Sequence, residues 1–221
     1  MHVGSSASRR LLIGCSPFAT HFNSYFQTRI RKIFQILRSR LPPLGCGSCS
    51  LWRILWERLL HAFPCDIHKW NAETQLHAQQ LYQAYQVAAV ERPGLLSAPD
   101  PELLAAARKS WIDGMVDMSS RLHADVSACL TAMGVAHTNE RWCERAERSI
   151  DIVIEGAGKK VALEVDGPSH FLQDERQDGS TQLRNRMLAA HGWRVVSVDY
   201  REWDEMKTQA QRQEYLRRLL A

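Results

Sequence analysis

Two carboxylates separated by one residue lie near the end of a short apolar run. The run reads Lys-Val-Ala-Leu-Glu-Val-Asp over residues 160–166, and a Gly-Pro turn follows it. Because side chains alternate along a strand, Glu164 and Asp166 share one face, while Leu163 points to the other. A third acid, Asp151, lies on the preceding predicted strand. The short loop between the two strands would place Asp151 opposite Glu164, within a slip of one or two residues.

Converging carboxylates supply the hard oxygen ligands that Mg²⁺ prefers, and Mg²⁺ shares its shell with water and phosphate. His170, four residues beyond Asp166, would orient a phosphate or act as general acid or base. The candidate metal ligands are therefore Asp151, Glu164 and Asp166, and with His170 they form the candidate catalytic set. The alternative is structural: the acids are solvated or hydrogen-bonded, Asp166 caps the turn, and His170 is a satisfied histidine.

Positive charge surrounds these acids along the sequence. The candidate RNA-binding residues are Lys159, Lys160, Arg184, Arg186 and Arg194. A predicted helix starting near residue 179 adds an amino-terminal end that can itself bind phosphate. The alternative is an ordinary solvated basic surface. Two tryptophans, at positions 193 and 203, would stack on bases or, as is usual at such positions, belong to the core.

Hydrophobic periodicity predicts the elements that position these residues. Helical spacing predicts helices over 51–63, 71–91, 101–110, 112–133, 179–191 and 208–220. Alternation predicts strands over 135–142, 149–154, 161–166 and 193–198, with Ile150, Ile152 and Ile154 on one face. Three strands in a meander, a crossover helix and a fourth strand predict an α/β fold with a mixed sheet and flanking helices, preceded by an α-helical region.

Composition excludes several classes of protein. The chain has 221 residues, a net charge of +4 and 45% hydrophobic residues, which is ordinary for a globular protein and compatible with a nucleic-acid partner. No apolar stretch approaches the roughly 18 residues of a membrane span. The six cysteines are scattered, so a disulfide framework is not expected. Cys46 and Cys49 have the spacing of half a zinc site. No second Cys pair or His pair lies at a suitable spacing in the sequence, which favours two unrelated thiols.

The amino-terminal segment differs in composition from the rest of the chain. No Asp or Glu precedes Glu57, whereas arginine and serine are frequent. Apolar residues recur at helical spacing over 22–37, with arginines between them. These are features of an organelle transit peptide. We therefore predict a transit peptide over 1–45, with a basic helix of the folded protein as the alternative.

Residues 150–219 resemble the RAP domain, an RNA-binding domain abundant in apicomplexans. It also occurs in the Fas-activated serine/threonine kinase family and in organelle RNA factors of algae and plants. The residues that carry the resemblance are Ala-Leu-Glu-Val-Asp-Gly-Pro-Ser-His-Phe at 162–171, Gly-Ser-Thr-Gln-Leu-Arg at 179–184, His-Gly-Trp-Arg-Val-Val-Ser-Val at 191–198 and Tyr-Arg-Glu-Trp at 200–203. The helices before residue 112 resemble more loosely the region that precedes this domain.

The resemblance implies a restriction-endonuclease-like fold of the PD-(D/E)XK group, close to the mismatch-repair endonucleases. Nucleases of this fold carry an acid before the hairpin, matched by Asp151, and a Glu/Asp-x-Lys motif on the central strand, matched at Glu164. Asp166 replaces the lysine that would stabilise the transition state. The mismatch-repair branch uses histidine, a role that His170 would fill.

Three hypotheses follow, with domains expected over 1–45, 50–110 and 112–221 and a motif core over 148–220. The first is an RNA-binding factor in mitochondrial, or alternatively plastid, RNA processing, stability or translation. The second is a metal-dependent RNA endonuclease, with Mg²⁺ as the cofactor it implies. The third is a non-catalytic scaffold that docks other organellar RNA-processing proteins. RNA is the expected partner, and no membrane is expected.

Overall fold

The computed structural model describes residues 48–64, 66–115, 120–156 and 158–221. The predicted transit peptide over 1–45 and the thiol of Cys46 lie outside these residues. No helix within the described ranges has the length and apolar character needed to cross a membrane.

Three helices form the first layer of the structure. They are α1 (Ser48–Ala62), α2 (Ala72–Glu91) and α3 (Pro101–Asp113), close to the predicted bounds. The side chain of Asn71 caps α2 by accepting a hydrogen bond from the backbone N–H of Thr74 at 2.8 Å, as its position predicts. The apolar faces of the helices share a core whose buried residues include Trp56, Leu81 and Ala107.

The predicted single helix over 112–133 is wrong, because two separate helices cover this part of the chain. Helix α3 ends at Asp113, and Gly114 closes it with a backbone hydrogen bond to Ser110 O at 3.1 Å. A separate helix, α4 (Arg121–Ala132), follows. The Ser120 hydroxyl caps it by accepting a hydrogen bond from the backbone N–H of His123 at 3.1 Å. The apolar spacing continues across the break, so periodicity alone did not reveal it.

A four-stranded mixed sheet follows, which confirms the predicted α/β class. The strands are β1 (Thr138–Cys143), β2 (Arg148–Gly156), β3 (Lys159–Asp166) and β4 (Arg194–Asp199). Their order is β1-β2-β3-β4, with the first two pairings antiparallel and β3–β4 parallel. Strand β1 begins three residues later than predicted, because Val135 N–H still donates to Leu130 O and closes α4.

The pairing of β2 with β3 has the predicted register. Ile152 lies opposite Leu163 and Val153 opposite Ala162. Continuing this register by one residue places Asp151 opposite Glu164, as expected from the short loop. Ile150, however, packs in one core cluster with Val153, whereas Ile152 lies in another. The expectation that the three isoleucines share one face is therefore wrong.

Helices cover both faces of the sheet. Helix α5 (Gly179–Ala190) connects β3 to β4, and α7 (Gln209–Leu220) ends the chain, both as predicted. A short helix, α6 (Tyr200–Glu205), was not predicted; the Asp199 carboxylate caps it by accepting from Arg201 N–H at 2.9 Å. One core joins β2, β3 and β4 to α4, α6 and α7, and a second joins β2 and β3 to Leu188 of α5.

The two tryptophans considered for base stacking belong to these cores. Trp203 is 1% exposed and Trp193 is 8% exposed. Trp203 lies in the core with α4 and α7, and Trp193 donates its Nε1–H to the Cys143 Sγ at 3.3 Å. The core interpretation is confirmed for both.

Candidate functional site

Glu164 and Asp166 lie at the carboxyl end of β3, the central strand beside β4, and both are 0% exposed. Alternation along the strand turns them, with Ala162, to the face covered by α5. Burying two carboxylates is costly unless cations or hydrogen-bond donors compensate. The groups around the two acids therefore decide what this site can do.

Arg184, on α5, supplies the compensating charge. Its Nε lies 3.1 Å from Glu164 Oε2, and its Nη2 donates to Asp166 Oδ1 at 2.9 Å. One guanidinium thus bridges the two carboxylates from the helix that packs on the strand. Arg184 was predicted to contact RNA; in the structure its charge is engaged within the protein.

Two further side chains hold Asp166. Gln177 donates from Nε2 to Asp166 Oδ2 at 2.6 Å. His170 lies in a single 3-10 turn (Pro168–His170), where its Nδ1 is 3.0 Å from Thr181 Oγ1 and 3.5 Å from Asp166 Oδ1. These distances place His170 beside Asp166, one of the two acids. Both carboxylate oxygens of Asp166 therefore accept hydrogen bonds from side chains of the protein.

Asp151 is also close to this cluster, but its carboxylate has a backbone partner. Its Oδ2 accepts from Val165 N–H at 2.7 Å, in place of a ladder hydrogen bond where β2 and β3 separate. Burial raises the pKa of Glu164 to about 8; the Arg184 guanidinium opposes this rise, and Asp151 and Asp166 add to it. Burial therefore favours the protonated form of the Glu164 carboxyl.

These residues do not fit a magnesium site. Among the described residues, no group of three or more His, Cys, Asp and Glu side chains is arranged to hold a metal ion. A positively charged guanidinium already lies against Glu164 and Asp166, and its charge would repel a metal cation there. Arg184 takes the place at the acidic pair that a metal would need.

A cleft of about 480 Å³ opens above this cluster. It lies between the helical layer and the sheet, near the amino-terminal end of α5. Its lining residues are Gln83, Trp111, Met115, His123, Glu140, Arg148, Ser149, Asp151, Ser169, His170, Asp178, Ser180, Thr181, Leu183 and Arg184. The volume falls in the range of sites that bind small molecules or single nucleotides. Three of the predicted site residues, Asp151, His170 and Arg184, thus meet in one cleft.

Arg148, at the start of β2, is a functional candidate that sequence reasoning missed. It is only 6% exposed, and its guanidinium lies 4.3 Å from the centre of the Trp111 ring. Nη1 donates to Glu147 O at 2.9 Å, whereas the buried Nη2 has no hydrogen-bond partner. Burial lowers the pKa of Arg148 to about 10. No signal marks this arginine in the sequence, because its burial depends on a helix that lies far from it along the chain.

Glu147 holds the helical layer against the sheet. Its Oε2 accepts from Tyr82 Oη at 2.5 Å and its Oε1 accepts from Arg108 Nε at 2.5 Å. Trp111 Nε1 also lies 3.4 Å from Glu147 O. The carboxylate beside Arg148 is thus occupied by partners from α2 and α3, so it does not pair with the Arg148 guanidinium.

The other predicted RNA-binding residues lie apart from the cleft lining. Lys159 and Lys160 are exposed at the start of β3. Arg186 pairs with Glu91 of α2 at 2.8 Å, and Arg194 donates to the backbone carbonyls of α7 at Leu219 and Leu220. The structure therefore does not gather the five predicted basic residues into one surface.

Comparison with known proteins finds similarity to a family in the carboxyl-terminal part of the chain. A family model described as the RAP domain matches residues 163–219. A RAP domain-containing protein, chloroplastic, from Oryza sativa subsp. japonica is 28% identical over 169 residues, which cover 75% of this chain and 26% of that protein. The chain spans about a quarter of the length of this curated relative. The family match includes Glu164, Asp166, His170 and Arg184, and it confirms, over residues 163–219, the resemblance to the RAP domain seen in the sequence.

Proposed function

We propose that this protein is an RNA-binding factor in organellar RNA metabolism and that it binds RNA without cleaving it. The observation that carries the proposal is the Arg184 guanidinium between Glu164 and Asp166, at 3.1 and 2.9 Å. A cation from the protein neutralises the acids that a nuclease would leave open to metal and substrate. The RAP domain supplies the RNA context, since this domain is generally RNA-binding.

The restriction-endonuclease-like fold remains part of this proposal. The sheet order, the crossover through α5 and the place of Asp151 opposite Glu164 support it. A chain with such a framework and with an arginine engaged by its acidic pair would keep the surface for nucleic acid while lacking the metal centre. The role in rRNA or mRNA processing, stability or translation belongs to the same proposal.

We place the protein in the plastid rather than in the mitochondrion. Mitochondrion was the first expectation from the sequence, with plastid as the alternative. The relative from Oryza sativa subsp. japonica bears the word chloroplastic in its name, which supports the alternative. Fusing residues 1–60 to a fluorescent protein in plant cells tests this: plastid fluorescence is expected, and mitochondrial fluorescence would contradict it.

An RNA titration tests the central function. The full chain is titrated against a labelled single-stranded RNA at several salt concentrations, and affinity is expected to fall steeply as salt rises, since basic residues release counterions from phosphates. No binding at low salt would reject the proposal and favour the protein-docking scaffold. RNA cleavage that depends on added Mg²⁺ and on Glu164 would favour the endonuclease.

A further inference from the structure

The Arg148 guanidinium is a buried positive charge that has no acidic partner among the described residues. Arg148 is only 6% exposed, yet no described carboxylate forms an ion pair with it. Its nearest acid, Glu147, is engaged with Tyr82 and Arg108. An unpaired buried charge is costly, so its retention requires compensation from elsewhere.

Arg148 lies at the border of the cleft. Arg148 lines the cleft, and its Nη2 has no hydrogen-bond partner. The Trp111 ring, 4.3 Å away, holds the guanidinium from one side, and the Glu147 carbonyl fixes Nη1 at 2.9 Å. A guanidinium fixed in this way is ready to donate to an anion such as a phosphate without further ordering.

The cleft also has a carboxylate wall, to which Asp151, Asp178 and Glu140 contribute. A free multivalent anion would be repelled by these carboxylates. A ligand with one negative charge and several hydrogen-bond donors would suit both the Arg148 charge and these carboxylates. A ribonucleotide within an RNA strand has this chemistry, because its phosphodiester carries one charge and its 2′-hydroxyl and base N–H groups donate.

We propose that the cleft takes up one unpaired ribonucleotide of an RNA strand, with its phosphodiester on Arg148 and its hydroxyl and base donors toward the carboxylate wall. The volume of about 480 Å³ accommodates a single nucleotide and not a duplex. The inference rests on the proposed RNA-binding function and deepens it, since it names the part of the RNA that this site takes.

Substitution of Arg148 gives the first test. Arg148→Met removes the charge and keeps an apolar stem of similar length, so we expect the variant to fold. The full chain is titrated with an unstructured single-stranded RNA and with DNA of the same sequence. We expect the variant to lose about tenfold or more in RNA affinity, with the salt slope reduced by about one. Arg141→Met, at an exposed arginine paired with Glu155 on the neighbouring strand, is the matched control and should stay within about twofold.

A second variant blocks the cleft without touching the buried arginine. Ser169 is exposed and lines the cleft, so Ser169→Trp should fill its mouth, whereas Gln173→Trp places the same ring at an exposed position outside the lining. We expect only Ser169→Trp to weaken RNA binding, and we expect the wild type to bind DNA more weakly than RNA.

If the wild type binds RNA and both cleft variants, Arg148→Met and Ser169→Trp, bind it equally well, the cleft is not the site, although the RNA-binding function stands. Equal affinity for DNA would reject the role of the 2′-hydroxyl, and no RNA binding by the wild type would reject both proposals.

Discussion

At the scale of single residues, Arg184 determines the character of the acidic pair. Two carboxylates that are 0% exposed share one guanidinium, and Gln177 and His170 surround Asp166. The arrangement is a buried ionic network, in which neither Glu164 carboxyl oxygen has a hydrogen-bond partner. Such networks depend on every member, because removal of one partner leaves an uncompensated buried charge.

Removal of the Arg184 charge should therefore destabilise the fold. For Arg184→Met we expect the free energy of unfolding to fall by about 3 kcal/mol or more, measured by urea denaturation. Arg176→Met removes an exposed arginine that pairs with Asp174 and is the matched control, which should leave the free energy of unfolding close to that of the wild type. Equal losses in the two variants would show that the buried network is not the source of the effect.

The raised pKa of Glu164 predicts how stability depends on pH. The carboxyl titrates near 4.5 in the unfolded chain and near 8 in the folded protein. Between these values the folded state holds a proton that the unfolded state has lost. The free energy of unfolding should therefore fall as pH rises, by up to about 1.4 kcal/mol per pH unit from this group.

Glu164→Gln should remove this part of the dependence, because a neutral amide replaces the titrating carboxyl. Urea unfolding of both proteins between about pH 5 and pH 8 measures the difference. Glu155→Gln, at an exposed acid on the adjacent strand, should keep the wild-type slope. Parallel curves for wild type and Glu164→Gln would mean that Glu164 is ionised across the range.

At the scale of elements, the turn between β1 and β2 joins the helical layer to the sheet. Glu147 has a φ of +49°, a conformation that side chains rarely adopt. This backbone turns its carboxylate toward Tyr82 of α2 and Arg108 of α3. The same turn places Arg148 under Trp111, so one contact site organises both the packing of the layers and the wall of the cleft.

Glu147→Ala should loosen this junction. We expect the free energy of unfolding to fall by about 2 to 3 kcal/mol, since two hydrogen bonds to a buried charged group are lost. The tryptophan emission, to which Trp111 contributes, should also shift to longer wavelength, because the Trp111 ring becomes more exposed to solvent. Glu155→Ala, which removes only an exposed ion pair with Arg141, should leave the free energy of unfolding close to that of the wild type. A red shift in fluorescence without a loss in stability would contradict the structural role given to this turn.

The strands and their register could be predicted from the sequence because they depend on local features. A short loop fixes the pairing of Ile152 with Leu163, whose continuation brings Asp151 toward Glu164, and alternation fixes the shared face of Glu164 and Asp166. The break between α3 and α4 was not predicted, since the apolar spacing runs through it. The partner of the acidic pair was missed for another reason: Arg184 lies on a later helix, and only packing of that helix on the sheet brings them together.

The cleft could not be predicted from the sequence, for the same physical reason. Tyr82 and Glu147 are 65 residues apart in the chain, and Trp111 lies 37 residues before Arg148. Contacts at such separations depend on how two layers dock. Periodicity reports the face that each element buries and not the element that covers it.

At the scale of the whole molecule, the segment that matches the RAP domain model is not a complete folding unit. The match begins at Leu163, inside β3, and leaves out β1, β2 and α4. Leu163 pairs with Ile152 of β2, and the core against β3 contains Val126 and Leu130 of α4. The sheet and its core therefore need about 40 residues before the matched segment.

Two fragments test this dependence. A fragment of residues 163–219 should show no cooperative thermal transition by circular dichroism, because one edge of β3 and one face of the core are left uncovered. A fragment of residues 120–221 retains the four strands and should unfold cooperatively, although less stably than the full chain, which has the Glu147 contacts. Cooperative unfolding of the shorter fragment would contradict the account.

The claim that the acidic site binds RNA rather than cleaves it is tested most directly by one incubation. The full chain is mixed with end-labelled single-stranded RNA, with Mg²⁺, with Mn²⁺ or with chelator, and both retention and length of the RNA are measured. We predict that the RNA is bound in all three conditions and stays intact, because Arg184 and not a metal contacts Glu164 and Asp166. Cleavage that requires the metal and disappears in Glu164→Ala would contradict the account.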